Sequence, residues 1–360
     1  MSETVPAPTA RTVIGTPISR AAMAGFAILV IGLVAAPAFV ERSLVADLVL
    51  VFLMITLAQC WNLLAGYAGL ISVGQQAFVG LGGYCLFALI ILAGVDPLVA
   101  VLLTPLIVAV ASVPIGFVVF RLQGAYFAVV TWVVAEVLRL LLAQWQALGG
   151  GTGNSLPRTA TSEMFALEWV SESFGVRSAA GREIIIYWVA LAAVVVVIAL
   201  AYAMLRSRLG LALSAIRDGE MPAESVGVNI LRNKFIVYIF AAFGASLAGA
   251  LYFLHVSRIS PDAAFSVLDW TAYVIFIVVI GGIGTIEGPI IGAILFVVLQ
   301  SQFAVYGPWY LIALGAFGIV IILVAPRGIW GLFSQATGIQ LFPTRRRLVL
   351  DNARTSNQGE

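Results

Sequence analysis

The stretch that decides the fold is IIIYWVALAAVVVVIALAYAML, residues 184–205, followed at once by RSRLGLALSAIRDGEMPAESVGVNILRNK, residues 206–234. The first part is an uncharged apolar run, and a helix needs about 20 such residues to cross a bilayer. The second part holds eight of the 36 charged side chains, counted as 19 basic plus 17 acidic residues. Charges at that density cannot lie in lipid. The pattern therefore predicts a membrane helix that leads into a polar loop.

Apolar runs of the same kind recur along most of the chain, which is 62% hydrophobic and 10% charged and has a mean hydropathy of +1.07. The runs are continuous rather than alternating, which favours helices over a membrane barrel. Spans of about 20 residues predict an all-α polytopic membrane protein with about ten transmembrane helices. The spans are expected at residues 21–40, 44–65, 76–93, 97–120, 125–143, 184–205, 235–256, 269–283, 289–306 and 309–325.

The distribution of basic residues predicts the orientation. If both termini are inside, 13 of the 19 basic side chains fall inside, five fall outside, and Arg139 lies in a span. Basic residues are enriched on the cytoplasmic side of membrane proteins, so this orientation is favoured over its inverse. The resulting organisation starts with a cytoplasmic tail, residues 1–20, and continues with a transmembrane domain, residues 21–331. This domain contains an external loop, 144–183, and a cytoplasmic loop, 206–234. A second cytoplasmic tail follows, residues 332–360.

Two segments are unusually rich in glycine for membrane spans, at residues 66–83 and 281–292. Glycine lets a helix stop and restart, and it lets backbones approach closely. A break at membrane depth is tolerated where it is packed in protein or lines a wet cavity, and paired breaks point to a transport path. Tight packing without a ligand is the alternative. The candidate pathway residues are Gly66, Gly69, Ser72, Gln75, Gln76, Gly281, Gly282, Gly284 and Thr285.

Charged and nucleophilic side chains do not form a catalytic pattern. Ser246 and His255, the single histidine, are nine residues apart on one expected helix and so point to opposite faces. The single lysine, Lys234, is not part of a phosphate-binding loop, so ATP hydrolysis would reside in another polypeptide. Glu136 and Arg139 stand three residues apart in a span, which predicts a structural ion pair that faces the bundle interior. We expect no enzyme activity, metal site, cofactor or nucleic-acid partner.

Four sequence patches together resemble the permease subunits of branched-chain amino-acid ABC importers, and more narrowly the larger of the two permeases that such systems pair. The resemblance covers about Trp61 to Gly331. The patches are Trp61-Asn62-Leu63-Leu64-Ala65-Gly66-Tyr67-Ala68-Gly69 with Ser72-Val73-Gly74, Gly124-Ala125-Tyr126-Phe127 with Glu136-Val137-Leu138-Arg139, Glu220 through Asn229, and Gly281-Gly282-Ile283-Gly284-Thr285-Ile286-Glu287-Gly288-Pro289.

The resemblance implies a type II ABC importer-like permease that takes up leucine, isoleucine and valine across a bacterial inner membrane. The implied partners are a second homologous permease, two ATP-binding subunits, a periplasmic or extracellular substrate-binding protein, and the lipid bilayer. Residues 220–227 would belong to a coupling helix that lies in a groove of one ATPase. The candidate coupling residues are Arg217, Asp218, Glu220, Ala223, Glu224 and Gly227.

Other functions remain open at this stage. Relatives in the same importer class carry urea, short amides or other amino acids. An ion-coupled secondary transporter would act alone and would need buried carboxylates in its path. A structural or signalling membrane subunit would leave both glycine-rich segments unexplained.

Overall fold

The apolar runs form helices in the computed structural model, which describes residues 10–13, 17–337, 341–343 and 347–350. The α-helices are α1 Pro17–Ala35, α2 Arg42–Asn62, α3 Gln75–Ile91, α4 Pro97–Val119, α5 Ala125–Ala143, α6 Arg158–Ser162, α7 Leu167–Phe174, α8 Ser178–Arg206, α9 Arg208–Asp218, α10 Glu220–Ser225, α11 Ile230–Val256, α12 Pro261–Ala264, α13 Tyr273–Gly281, α14 Glu287–Phe303, α15 Pro308–Val324 and α16 Gly328–Thr337. The strands are β1 Ala10–Val13, β2 Asn154–Ser155, β3 Arg258–Ile259 and β4 Arg347–Leu350.

Ten apolar helical segments correspond to the ten expected spans. Among the described residues, eight of these segments are long and apolar enough to cross a membrane, and the two shorter ones are α3 and α14. The prediction of an all-α polytopic protein is confirmed. The expected domain boundary after Gly331 falls inside α16. Of the two expected tails, residues 1–9, 14–16, 338–340, 344–346 and 351–360 lie outside the described residues.

The core of the bundle is built by α2, α8 and α11, whose apolar windows are mostly buried inside the protein. The helices α1, α5 and α15 lie at the periphery, since most of their apolar side chains face outward. In a bilayer those faces contact lipid or another apolar chain, and they need no internal cover. Helix α11 packs against α2, α3, α4 and α8, so it is the central element of the fold.

Helix α3 packs closely on α11 because small residues lie at the contact. A Cβ atom at Gly249 would overlap the carbonyl oxygen of Val79, and one at Gly82 would overlap that of Ser246. The two backbones thus approach without intervening side chains, as small residues permit in membrane helix pairs. Aromatic rings pack beside this contact, with the ring centroids of Phe78 and Tyr238 5.3 Å apart.

One end of the bundle carries the connection over residues 144–183. Its strand β2 pairs with β3, which follows α11, and Asp96, which precedes α4, accepts hydrogen bonds from the backbone nitrogens of Leu98 and Phe165, both at 2.8 Å. Asp96 therefore caps α4 and also holds the connection to that helix. At the same end, Arg42 at the start of α2 forms an ion pair with Glu183 near the start of α8.

The opposite end carries the charged loop of residues 206–234 and the described parts of the two terminal segments, 10–13, 341–343 and 347–350. Strands β1 and β4 pair antiparallel, so the segments that flank the membrane helices meet. Phe342 packs its ring on Phe26 of α1 and Tyr202 of α8, with centroids 5.9 and 5.7 Å apart. The carboxylate of buried Glu287 accepts hydrogen bonds from the backbone nitrogens of Leu341 and Phe342. The C-terminal segment is thereby held at the start of α14.

We predict that Gly249→Ala destabilises the bundle, while Gly315→Ala does not. The added methyl group at Gly249 meets backbone that cannot move aside, and overpacking costs about 1–3 kcal/mol. No heavy atom lies within 4 Å of a Cβ placed at Gly315, so it serves as the matched control. Thermal unfolding of the two variants in detergent measures the difference. Equal melting temperatures would show that α3 and α11 are not in such close contact.

Candidate functional site at the glycine junction

The first glycine-rich segment interrupts the path from α2 to α3. Helix α2 ends at Asn62, and the chain continues as a π-helical turn over Leu63–Tyr67. An irregular stretch then leads to α3, and Gly69 within it has a φ of +71°, which favours glycine. Several backbone groups of this segment therefore lack helical partners, although most of it is buried.

The second glycine-rich segment interrupts the path from α13 to α14. Helix α13 ends at Gly281, and Gly282 and Gly284 have φ values of +133° and +74°. The chain then enters α14 at Glu287. A Cβ atom at Gly282 would lie 3.1 Å from the carbonyl oxygen of Arg327, so the turn before α16 packs on this break.

Two amide side chains of α2 join the breaks. Asn62 donates to the carbonyl oxygen of Thr285 at 2.7 Å and accepts from the nitrogen of Gly284 at 2.8 Å. Gln59, one turn earlier, donates to the carbonyl oxygen of Ile286 at 2.6 Å. We call the cluster of Gln59, Asn62, Gly66 and 284–286 the glycine junction. It supplies partners to backbone groups that the helix breaks leave open, as burial in a membrane protein requires.

Gly66 closes the junction by its small size. A Cβ atom there would lie 2.6 Å from the nitrogen of Gly284, closer than real Cβ contacts allow. Three of the predicted pathway residues therefore lie together in the structure: Gly66, Gly284 and Thr285. Gln59 and Asn62 were absent from the candidate residues. Their signal in the sequence is an amide pair, three residues apart, in an otherwise apolar span.

The remaining pathway candidates lie along the start of α3. Gln75 donates to the carbonyl oxygen of Leu57 at 3.2 Å, and the hydroxyl of Ser72 accepts from the nitrogen of Gly74 at 3.2 Å. The side-chain Oε1 atom of Gln76 accepts from the Thr271 hydroxyl. The Nε2 atom of Gln76 is buried and has no hydrogen-bond partner among the described residues. This amide therefore has a donor available in the first turn of α3.

The charged loop forms two helices, and the second of them, α10, lies in the segment 220–227 that the resemblance assigned to a coupling helix. Helix α9 starts at the cap residue Ser207, whose hydroxyl accepts from the nitrogen of Leu209 at 3.1 Å. Gly219 separates α9 from α10. Gly227 has a φ of +85° two residues after α10, and its nitrogen donates to the carbonyl oxygen of Glu224 at 2.9 Å. This is the expected glycine stop.

A buried ion pair attaches α10 to the bundle. The ammonium group of Lys234 lies 2.6 Å from the carboxylate of Glu220, and the Lys234 side chain is 8% exposed. A buried cation needs a partner, so this contact fixes α10 against the first turns of α11. A groove of about 480 Å³ lies beside the pair, lined in part by Gln123, Met221 and Asn229. Sequence reasoning did not pair Lys234 with Glu220.

The outer face of the loop combines apolar and acidic side chains. Met221 is 82% exposed and Val226 is 78% exposed, and the carboxylate of exposed Glu224 between them makes no hydrogen bond or ion pair to any described residue. Ala223 is buried against the bundle. We call Met221, Glu224 and Val226 the outer face of the loop.

Arg217 reaches toward the bundle with one end of its guanidinium group, while 35% of its side chain stays exposed. Its Nη1 atom donates to the carbonyl oxygen of Gly66 at 3.0 Å, and its Nη2 atom lies 3.3 Å from the carboxylate of Asp218. Asp218 itself is largely exposed. Of the coupling candidates, three contact the bundle: Arg217, Glu220 and Ala223. Asp218 and Glu224 are exposed.

Glu136 and Arg139 lie at the other end of the protein. Arg139 contacts Glu136 at 2.6 Å and also Asp262 of α12 at 2.8 Å. The Glu136 side chain is 45% exposed, so this ion pair lies on an outward face and not in the bundle interior. It connects α5 to the connection between α11 and α13. Within the described ranges, no cluster of histidine, cysteine or acidic residues is suited to a metal ion.

This architecture has relatives among known proteins. Residues 43–325 match the family described as the permease component of the branched-chain amino acid transport system. The chain belongs to this family. The match covers both glycine breaks, the charged loop and the Glu136–Arg139 pair, so this permease has the site described above within its family-defining region.

Curated relatives of this permease cover most of its length. It is 30% identical to the high-affinity branched-chain amino acid transport system permease protein LivM of Salmonella typhimurium, over 84% of this chain and 73% of the relative. The Escherichia coli LivM is 30% identical over 82% of this chain and 72% of the relative. A probable LivM of Methanocaldococcus jannaschii is 24% identical over 66% and 71%. No solved structure matches the chain at a comparable level of significance.

We predict that Asn62→Asp destabilises this permease by about 1–3 kcal/mol, because a carboxylate would face the carbonyl oxygen of Thr285 without a donor. The control is Asn233→Asp, since Asn233 makes a similar bond to the Asn229 carbonyl oxygen at an exposed site. Thermal unfolding in detergent compares the two. A destabilisation of similar size in both variants would contradict the bridging role of Asn62.

Proposed function

We propose that this protein is a permease subunit of an ATP-driven importer for leucine, isoleucine and valine. It would form the translocation path with a second homologous permease in a bacterial inner membrane. Two ATP-binding subunits and an external substrate-binding protein complete the system. The observation that carries the proposal is the glycine junction, which lies at the end of the bundle that also presents the charged loop. Family membership and the names of the relatives support the substrate class.

The orientation in this proposal puts the charged loop and both termini in the cytoplasm. The basic residues favour it, and the structure groups the loop, the junction and the terminal segments at one end. The breaks would then form the inner part of the path. The opposite end, with Asp96 and the Arg139–Asp262 contact, would face the binding protein.

Gln76 is the residue best suited to bind the substrate carboxylate. It lies in the first turn of α3, where the helix dipole favours an anion. Its buried Nε2 atom is an unused donor among the described residues, and leaving such a group unpaired costs free energy. A carboxylate bound there would satisfy the amide and would neutralise the end of the helix.

The outer face of the loop is the proposed contact with an ATP-binding subunit. Met221 and Val226 would be buried in the contact, and Glu224 would meet a complementary charge. The Lys234–Glu220 pair would hold α10 in position while force is applied to it. Asp218 is exposed at the end of α9 and borders the same surface.

An ion-coupled carrier would need a buried carboxylate that is free to bind a cation in the path. Glu287 is the buried carboxylate nearest to the junction, but it accepts two hydrogen bonds from the C-terminal segment, at 3.0 and 2.8 Å. Its position thus favours a structural role. This geometry supports the ATP-driven importer over a carrier that acts alone.

Uptake of labelled leucine into vesicles tests the proposal, using this protein with its second permease, the ATP-binding subunits and the binding protein. We expect uptake that needs both ATP and the binding protein. Replacing leucine by labelled urea examines the alternative substrate of the same importer class. Uptake of leucine driven by an ion gradient in the absence of ATP would refute the proposal.

Glu224→Lys should lower leucine uptake at least about tenfold, because one charge reversed in a docking surface costs several kcal/mol. The fold should be unaffected, because Glu224 is exposed and unpaired among the described residues. Arg208→Glu is the matched control, since Arg208 is an exposed residue of the same loop that lies outside the outer face. Co-purification with the ATP-binding subunit and uptake are measured together. Normal uptake by Glu224→Lys would remove the outer face from the proposed contact.

Gln76→Met should raise the KM for leucine about tenfold, because methionine fills a similar volume without the amide donor. ATP hydrolysis by the complex in the absence of substrate should not change. Gln302→Met, at an exposed position of α14, provides the control. An unchanged KM in the Gln76 variant would exclude this amide from substrate binding.

A further inference from the structure

Arg217 is the residue of the charged loop that reaches into the glycine junction. It lies in the last turn of α9, and its Nη1 atom donates to the carbonyl oxygen of Gly66 at 3.0 Å. Its Nη2 atom stays near the exposed carboxylate of Asp218. The guanidinium group therefore joins the helix break to the water-facing surface of the loop.

The Gly66 carbonyl needs this donor because of the helix break. Gly66 is in the π-helical turn Leu63–Tyr67, and the chain leaves helical geometry shortly after it. A carbonyl group at the end of a helix has no partner from the helix itself, and in a buried place it must find one elsewhere. The described hydrogen bonds give it Arg217.

The backbone of α9 also packs directly on the first break. A Cβ atom at Gly69 would lie 3.5 Å from the Cα and 3.3 Å from the Cγ of Arg217. A Cβ atom at Gly69 would thus meet Arg217 at about van der Waals distance, while a bulky side chain there would push α9 away from the junction. The contact is therefore a packed one, supplemented by the hydrogen bond to Gly66.

A short series of contacts also connects the charged loop to the second break. Gly66 lies against Gly284, whose nitrogen is held by Asn62. On the other side, α10 follows α9 after Gly219 alone, and the Lys234–Glu220 pair fixes α10 to α11. The chain of contacts from the outer face of the loop to both glycine breaks thus passes through Arg217.

We propose that Arg217 is a positioning residue that transmits movement of the charged loop to the glycine junction, and that it does not bind the ATP-binding subunit. This inference rests on the proposed function. Arg217 and Gly66 stay in contact throughout the transport cycle, so that α9 and the first break move as one unit. The resemblance placed Arg217 among the candidate coupling residues. In this proposal the outer face of the loop contacts the ATP-binding subunit instead.

The first test compares Arg217→Ala with Arg208→Ala in the complete reconstituted transporter. Arg208 is an exposed residue of the same helix and makes no side-chain hydrogen bond or ion pair within the described part of the chain. We expect Arg217→Ala to keep its ATP-binding subunit and its ATP hydrolysis while leucine uptake falls about tenfold or more, as for a lost hydrogen bond to a charged donor. Arg208→Ala should behave as the wild type.

Loss of the ATP-binding subunit from the Arg217→Ala complex would overturn the inference, because Arg217 would then be a docking residue. Unchanged uptake by this variant would overturn it as well. The wild-type complex separates this failure from a failure of the proposed function. If the wild type itself shows no ATP-dependent leucine uptake, the proposed function fails, whereas the inference about Arg217 fails on the variant while the wild type transports.

A disulfide tests whether the contact persists. The Cβ position of Gly69 lies 3.7 Å from the Cβ of Arg217, within the usual range for disulfides of about 3.5–4.5 Å. We would make Gly69→Cys with Arg217→Cys in a chain whose Cys60 and Cys85 are replaced by alanine. Oxidation should form the cross-link and restore the uptake that the reduced double variant lacks, because the covalent bond replaces the lost contact.

Each other result of this experiment bears on the inference. Failure to cross-link would show that α9 does not lie on the break. Arrest of uptake by the cross-link would show that the contact must open in each cycle, which contradicts a permanent link. If Gly69→Cys alone is inactive, because its φ of +71° disfavours a side chain, the comparison of Arg217→Ala with Arg208→Ala decides.

Discussion

Every interrupted helix in an apolar bundle must find partners for its open backbone groups, and the bonds from α2 to the second break meet this requirement. Asn62 serves the nitrogen of Gly284 and the carbonyl of Thr285, and Gln59 serves the carbonyl of Ile286. Without these amides, the break between α13 and α14 would leave buried polar groups unpaired, at several kcal/mol in apolar surroundings. The remaining features of the site depend on this arrangement, because it sets where the two breaks meet.

The charged loop divides its work between two faces. Arg217 and the Lys234–Glu220 pair hold it to the bundle, while Met221, Glu224 and Val226 remain outside. A loop that floated free of the bundle could bind a partner, but it could not pass on a displacement. A loop that was buried on both sides could not be reached. Two short helices separated by Gly219 satisfy both needs, since each helix presents its own contact.

The sequence predicted the class, the helical segments and the existence of both breaks. Ten apolar runs are visible because a lipid-facing helix needs a long uncharged segment, and each of them is helical in the structure. The glycines also indicated where the helices stop. Pairings across long separations were not accessible. Asn62 and Thr285 are 223 residues apart, and no local pattern connects them. The break of the loop at Gly219 was missed because the polar stretch has a composition that suits one short helix.

The direction of a side chain is what the tertiary structure decides and the amino-acid sequence does not. The amino-acid sequence by itself determined that the protein spans a membrane, that its loop of residues 206–234 lies outside lipid, and that glycine interrupts two spans, because burial of charge and of backbone polar groups is costly anywhere in a bilayer. Only the tertiary structure decided that Arg217 faces the junction, that Glu136 faces outward, and that the two breaks touch. Those facts depend on which helices pack together, and packing joins residues that are far apart in the chain.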